Sequence, residues 1–415
     1  MGQRAVKQHV EEGLKLYDAH NIDAAITKWT KTLPKITEPR LKFRTLGYLA
    51  SAWDEVGKYR EMLKASIQQI DVANSMDADE LREEAYLNIA RSNERLCEYE
   101  KAIAYCKHSL NNAFVGRRRK HTFGRFYHCM GNAHLGLSEF CTALEHFENA
   151  LSYSQTYDDR VLECRTFLSV GGLFYQLRDY ERSQYFYGKA REILGDYGAR
   201  WSWKMETVCS LNIAMAQRKM GRLTEAMESC EDAMKIALHQ GDRPSQAECL
   251  RCFADIHRNR GDIERAYPRY EASLNIMVET GDRYGQVQVL SGMAKVLVMN
   301  KQFEKGMEMN KKALELALAI GNKLSLLRAH FRLEMLYRSL GDFQQMREHV
   351  VKYTQALEAM ELYCGACGDT YGEKPDRIEA LPCSHIFHSR CVETTLQKTT
   401  GCPDCRRVML RPVYV

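Results

Sequence analysis

Apolar residues along the first 360 positions follow a helical spacing nested inside a longer repeat of about forty residues. In one stretch Tyr127, Met130, Gly131 and His134 fall at i, i+3, i+4 and i+7, which is one face of a helix. A turn is expected near Ser138, and a second helix then carries Ala143, Phe147, Ala150 and Leu151 on one side. A bulky apolar residue followed three places later by a small or slim one marks the second helix of every unit. The pairs are Ile22/Ala25, Tyr59/Met62, Tyr99/Ala102, Phe140/Ala143, Tyr180/Ser183, Leu223/Ala226, Ile263/Ala266, Phe303/Gly306 and Phe343/Met346. They define nine units with steps of 37 to 43 residues. A second marker recurs at an interval of 40: Gly241-Asp242-Arg243, Gly281-Asp282-Arg283 and Gly321-Asn322-Lys323. The last unit ends in a helix over 344–361, where Met346, Val350, Tyr353, Leu357 and Met360 step by 4, 3, 4 and 3. That spacing is heptad-like, but too short for a free coiled coil, and reads as a capping helix or a short docking site for a partner helix.

The small-glycine-aromatic-alanine pattern of these units resembles the tetratricopeptide repeat, with a period longer by about six residues. The resemblance implies an all-α superhelical solenoid of long helix pairs over residues 1–360. Such a solenoid presents an extended surface for binding and has no catalytic pocket of its own. Arg218, Arg251 and Arg258 are the candidates for a basic track on the inner helices, against the plainer reading of a solvated charged face. The run Arg117-Arg118-Arg119-Lys120 is a candidate contact for acidic lipid or a partner, or else a solvated loop between units. The chain has 415 residues, 45% of them hydrophobic, and a formal charge of +5, which is too mild to point to nucleic acid. No run has the apolar length of a membrane span, and the N-terminus lacks the apolar core of a signal peptide. The nine cysteines before residue 360 are therefore expected to be reduced, buried small hydrophobes.

Residues 361–415 differ in kind. They hold Cys364-x2-Cys367, Cys383-x-His385-x2-His388-x2-Cys391 and Cys402-x2-Cys405, eight thiol or imidazole ligands in four pairs. A segment this short cannot bury enough apolar surface to be stable alone, so metal must supply much of its folding energy. Sequential zinc ribbons would pair the ligands in chain order. The pattern resembles a RING finger with two central histidines, and in that family the pairs interleave. The resemblance implies two zinc ions, one on Cys364, Cys367, His388 and Cys391, the other on Cys383, His385, Cys402 and Cys405. It also implies that Pro403 faces a ubiquitin-conjugating enzyme and that Arg406 contacts ubiquitin, so a ubiquitin-family ligase acting by positioning is one reading of the chain. Ala366 stands where active members often carry a larger aliphatic, and no tryptophan lies between Cys391 and Cys402. The alternative reading is a zinc-stabilised binding knob. Seven acidic and seven basic side chains in 361–415 leave no phosphate footprint, so nucleic acid is not an expected partner. Because helix-forming sequence runs directly into Cys364, the finger is expected to sit rigidly on the solenoid's end.

Met1-Gly2-Gln3 begins a myristoylation signal at Gly2, although Val6 stands where serine or threonine is usual. Together with the forty-residue units, the heptad-like helix and the terminal finger, the whole chain resembles the rapsyn family of receptor-clustering scaffolds. The likeness is most pointed in Cys106-Lys107-x-x-Leu110, in Gly241-Asp242-Arg243-Pro244 with Phe253-Ala254-Asp255-Ile256-His257-Arg258, and in Leu381-Pro382-Cys383-Ser384-His385-Ile386-Phe387-His388. It implies an N-myristoyl anchor at Gly2, a place on the cytoplasmic face of the postsynaptic plasma membrane and self-association through the repeats. It further implies nicotinic acetylcholine receptor contact through the late helical segment, and dystroglycan or cytoskeletal linkage through the finger.

Overall fold

A computed structural model describes residues 3–113, 122–197, 203–360, 363–371, 377–381, 383, 385–398 and 401–406. Gly2 and the basic run at 117–120 lie outside the described residues. Helices come in antiparallel pairs: α1 (Gln3–Asp18) with α2 (Ile22–Thr32), α3 (Pro39–Val56) with α4 (Tyr59–Ser75), and α5 (Asp79–Arg95) with α6 (Tyr99–Ala113). The series continues with α7 (Phe123–Gly136) and α8 (Phe140–Thr156), α9 (Arg160–Gln176) and α10 (Tyr180–Tyr197), and α11 (Trp203–Lys219) and α12 (Leu223–His239). It closes with α13 (Arg243–Asn259) and α14 (Ile263–Thr280), α15 (Arg283–Met299) and α16 (Phe303–Ala319), and α17 (Lys323–Leu340) and α18 (Phe343–Glu358). The bulky marker residue opens the second helix of every pair, from Ile22 in α2 to Phe343 in α18.

Both markers have a physical role. The small residue is buried at the helix crossing, as Ala25, Ala102, Ala143, Ala226 and Ala266 are. A facing glycine brings the first helix close enough for an aromatic ring to lie on its backbone. A Cβ on Gly131 would stand 2.5 Å from the Phe147 ring, and Gly171 meets Tyr187 in the same way. In the Gly-Asp-Arg motif the glycine supplies the positive φ that ends a helix, 66° at Gly241, 77° at Gly281 and 69° at Gly321. The next residue caps the following helix. Asp282 accepts from the Gly285 N–H at 2.8 Å and Asn322 from the Ser325 N–H at 2.8 Å.

In the second and third copies of the motif the third residue ties the superhelix to itself, whereas Arg243 of the first copy pairs with Glu279 at 2.8 Å. Arg283 donates to the Leu96 carbonyl at the C-terminus of α5 and pairs with Glu98 at 2.8 Å. Asn322 Nδ2 donates to the Gly136 carbonyl at 2.6 Å, Lys323 pairs with Glu139 at 3.0 Å, and the Leu324 N–H donates to Ser138 Oγ at 3.0 Å. These bonds join residues 184 to 187 positions apart, so the N-termini of α15 and α17 sit on the C-termini of α5 and α7. Apolar packing follows the same seam, with Val287, Ala317 and Ile320 in one cluster with Cys97, Tyr99 and Leu137.

Replacing Gly131 with valine should destabilise the protein by about 1–3 kcal/mol through overpacking against Phe147, and adding Phe147→Leu should restore part of that loss. Thermal melts of the single and double variants check this.

Candidate functional site: the zinc finger, its junction and the last helix pair

The finger is built on a two-stranded antiparallel sheet, β1 (Ile378–Ala380) paired with β2 (Ile386–His388), followed by α19 (Ser389–Lys398). Its small core holds Leu381, Phe387, Val392, Cys364 and Cys402. The structure gathers Cys364, Cys367, His388 and Cys391 into one group and Cys383, His385, Cys402 and Cys405 into another, with ligand atoms in each group within 4.8 Å of one another. Ligands from distant parts of the segment interleave, an arrangement that pairing in chain order does not produce. Cys367 Sγ lies 3.4 Å from His388 Nδ1, and Cys383 Sγ lies 3.3 Å from His385 Nδ1. Bonds of about 2.0–2.3 Å in a tetrahedron place ligand atoms at roughly this separation, and three thiols with one imidazole is a zinc donor set. The chemistry of the groups agrees. Burial and the neighbouring thiols push Cys391 up to about 12, and burial likewise lifts Cys383 to about 12 beside Cys402 and Cys405. Four such ligands crowd together comfortably only around a cation that takes the place of their protons.

The loops of the first and last ligand pairs touch. A Cβ on Gly365 would run into the Asp404 carboxylate, so Ala366 and Pro403 stand on adjacent loops. Arg406 is exposed, with a positive φ of 58°.

The finger does not simply follow the last helix pair, as its sequence position suggests. It docks on helices nearly two hundred residues earlier. The Ile378 N–H donates to Asp179 Oδ2 at 2.9 Å, Arg377 pairs with Glu181 at 2.7 Å, and Arg182 donates to the Ile378 carbonyl. Ile378, Ala380 and Ile386 enter the same core as Phe140, Phe147 and Phe174. Cys141 is the exposed exception among the solenoid cysteines, of which the other eight are buried. Periodicity could not reveal this contact, because it depends on how far the superhelix turns.

α18 divides along its length. Tyr353 and Leu357, with Met360 just beyond the helix, pack into the core shared with α8, α9 and the finger, which is the capping role. On the last helix pair Phe343 and Val351 of α18 are 60% and 55% exposed, and Phe331 and Met335 of α17 are 48% and 46% exposed. Between the two helices His330 and His349 meet Nδ1 to Nδ1 at 2.9 Å, an arrangement that needs one proton between the two nitrogens. Burial, then His349 and Lys352, lower His330 to about 4, and burial and Lys352 also lower His349.

The three candidate arginines do not line an open track. Arg258 at 2.8 Å, Arg218 at 3.1 Å and Arg251 at 3.7 Å converge on the Asp255 carboxylate, which also accepts from the Tyr270 hydroxyl at 2.6 Å. Despite its burial, Asp255 is held far below the usual carboxylate range by Arg218, Arg258 and Arg251. Among the described residues no helix is long and apolar enough to cross a membrane.

Comparison with known proteins covers the whole chain. A family profile described as "Rapsyn N-terminal myristoylation and linker region" matches residues 1–80. A tetratricopeptide repeat profile matches 206–279, and a Ring finger domain profile matches 362–406. The chain is 47% identical over 415 residues to the 43 kDa receptor-associated protein of the synapse from Tetronarce californica, covering all of both chains. It is 48% identical over 417 residues to the protein of the same name from Gallus gallus, again end to end. Among solved structures, a Rap protein complexed with competence and sporulation factor aligns with a TM-score of 0.57 at 12% identity, over 87% of this chain and 99% of that one. That likeness concerns the fold.

Two measurements test the site. Elemental analysis should give two zinc ions per chain, and Cys383→Ser should lower the figure to about one. A histidine with its folded pKa below the unfolded value of 6.5 contributes stability that is complete above pH 6.5 and lost as pH falls toward the folded value, about 4 for His330. Hydrogen-exchange protection in α17 and α18, taken relative to the intrinsic rate at each pH, should therefore fall between pH 6.5 and 4, and a His330→Gln, His349→Gln double variant should lose that dependence.

Proposed function

Because the chain belongs to the family of the 43 kDa receptor-associated proteins of the synapse, with end-to-end identities of 47% and 48%, we propose that it is a peripheral-membrane scaffold at the postsynaptic membrane. In this reading it clusters and anchors nicotinic acetylcholine receptors and links them to dystroglycan or the cytoskeleton. Cys364, Cys367, His388 and Cys391 hold one zinc, and Cys383, His385, Cys402 and Cys405 hold the other. The observation that supports the reading is the set of exposed apolar side chains on the last helix pair, Phe331, Met335, Phe343 and Val351, in the late helical segment that this reading assigns to receptor contact. A helix of the receptor's cytoplasmic region lays its own apolar stripe on these side chains. A myristoyl group on Gly2 supplies the membrane anchor, and the match of residues 1–80 to a myristoylation region supports it. One acyl chain binds a bilayer only marginally, so receptor contact and self-association through the repeats supply the rest through effective concentration.

A second reading coexists with the first. The finger positions a ubiquitin-loaded conjugating enzyme, with Pro403 on the docking face and exposed Arg406 on ubiquitin. The adjacency of the Gly365 and Asp404 loops favours it, since a docking face needs both.

Cell-surface co-clustering distinguishes these roles. Val351→Asp with Phe343→Asp should abolish receptor clusters while leaving membrane fractionation intact, and Gly2→Ala should release the protein from membranes. Clusters that persist with the double aspartate variant would refute the docking face. Failure of wild-type protein to discharge loaded conjugating enzymes, or an Arg406→Ala variant that discharges them normally, would refute the ligase.

A further inference from the structure

Two adjoining cavities make one groove between α12 and α14, with α13 as its floor. Their volumes are about 520 and about 510 Å³, and Met234 and Leu250 line both, so one runs into the other. The α12 wall is Met227, Glu231, Met234 and Leu238, spaced i, i+4, i+7 and i+11 along one helix face. Leu250, Phe253 and His257 of α13 follow at i, i+3 and i+7. Ala272 and Ile276 continue the α14 wall that begins with Arg265 and Arg269. From Met227 to Leu238 the wall runs for about 16 Å, or three helical turns. Leu238 is 62% exposed, so an apolar lip stands open to solvent.

Charge is concentrated at one end of this groove. Arg260, Arg265 and Arg269 line the cavity that holds Met227 and Glu231. Arg260 donates to the Leu223 carbonyl at 3.3 Å and Arg269 to the Arg265 carbonyl at 2.9 Å, and among the described residues neither pairs with a carboxylate. Arg265 keeps a loose pair with Asp262 at 3.5 Å. At the other end Arg243 and Glu279 neutralise each other at 2.8 Å. The repeat does not require the three arginines. Forty positions earlier the same places hold Met220, Glu225 and Ser229, and forty positions later Asn300, Lys305 and Met309. Neighbouring units therefore build the same helix pairs without this cluster.

We propose that the groove binds an amphipathic helix of a partner protein, with its apolar stripe on Met227, Met234, Leu238, Leu250 and Phe253 and with carboxylates at the end that meets Arg260, Arg265 and Arg269. The walls select a helix over an extended strand. Helical walls have no free backbone edge to offer a strand, whereas a helix satisfies its own backbone and needs only side-chain contact. Methionine on the wall adapts to the shape of the incoming ridge. The arginines choose an acidic partner and fix which way round it lies. This surface shares no residue with the side chains of the last helix pair assigned to the receptor.

The test uses the full-length, zinc-loaded chain and fluorescence anisotropy with a labelled helical peptide of about fifteen residues. The peptide carries leucines at i, i+4, i+7 and i+11 and three glutamates at one end, and its twin carries lysines in place of the glutamates. The acidic peptide should bind in the micromolar range, more weakly as salt rises, and better than its twin. Arg265→Glu with Arg269→Glu should weaken the acidic peptide at least tenfold and favour the twin, and Leu238→Asp should weaken both. These positions are on the surface, so thermal melts of the variants should match wild type, and Phe343→Asp with Val351→Asp should leave binding unchanged. No binding, equal affinity for the twins, or indifference to Leu238→Asp overturns the proposal. So does binding lost only in the Phe343→Asp, Val351→Asp variant, or arginine-dependent binding of heparin or anionic vesicles with none of the peptide. None of these results bears on receptor clustering.

Discussion

One constraint organises the molecule: the second turn of the superhelix rests on the first. The last carbonyls of a helix are unsatisfied and carry partial negative charge. In an open solenoid, water or a local cap meets them. Here Arg283 meets the carbonyl after α5, Asn322 the one ending α7, and Arg328 the one ending α9, through the three-residue motif and its neighbour. In the copies at 281–283 and 321–323, the motif that caps the following helix with its second residue thus completes a helix 184 to 187 positions earlier with its side chains. Local and long-range structure are specified by the same few residues. The repeat length matters because only a fixed rotation per unit brings these ends together.

Enclosure changes the electrostatics of the interior. Charges that an extended solenoid would leave in open solvent face one another across a narrowed space. Where a carboxylate is available the result is a tight cluster. Asp54 takes Arg91 and Arg95 at 3.0 Å each, and Asp255 takes three arginines and a tyrosine. Removing the Asp255 carboxylate would leave those buried guanidiniums unbalanced, a loss of the order of 3–5 kcal/mol. Burial and the neighbouring arginines lower Lys219 to about 8 and Lys295 to about 7, against the pull of Asp255.

Much of this is legible in the chain, and the boundary has a physical cause. Helix pairing, the nine second-helix starts and the finger's metal-binding character depend on residues close in sequence, so periodicity and spacing expose them. The glycine-aromatic contact is also foreseeable, since Gly131 and Phe147 lie on facing helices of one unit. For Arg218, Arg251 and Arg258 the spacing suggests a groove or a solvated face, and both suggestions fail. Spacing shows which face these arginines share but not that Asp255 sits among them, buried by neighbouring units. The finger's dock on Asp179 and Glu181 is equally hidden, because sequence adjacency favours the last unit while superhelical rotation delivers an early one.

That dock makes the metal matter beyond the finger. β1 is three residues long and pairs with one other strand, so it has little order of its own. Its partner β2 ends at His388, a zinc ligand in the proposed assignment, and the Ser389 N–H donates to the Arg377 carbonyl at 2.8 Å. Zinc fixes the end of β2, and β2 pairs with β1, where Asp179 and Arg182 grip Ile378 and Glu181 grips the adjoining Arg377. Ile378 and Ile386 then close the core that also receives Leu357 from the end of α18 and Met360 just after it. Metal binding therefore bears on how firmly α18 is seated, and losing zinc removes the finger and also loosens the end of the last helix pair, which carries the exposed side chains Phe331, Met335, Phe343 and Val351.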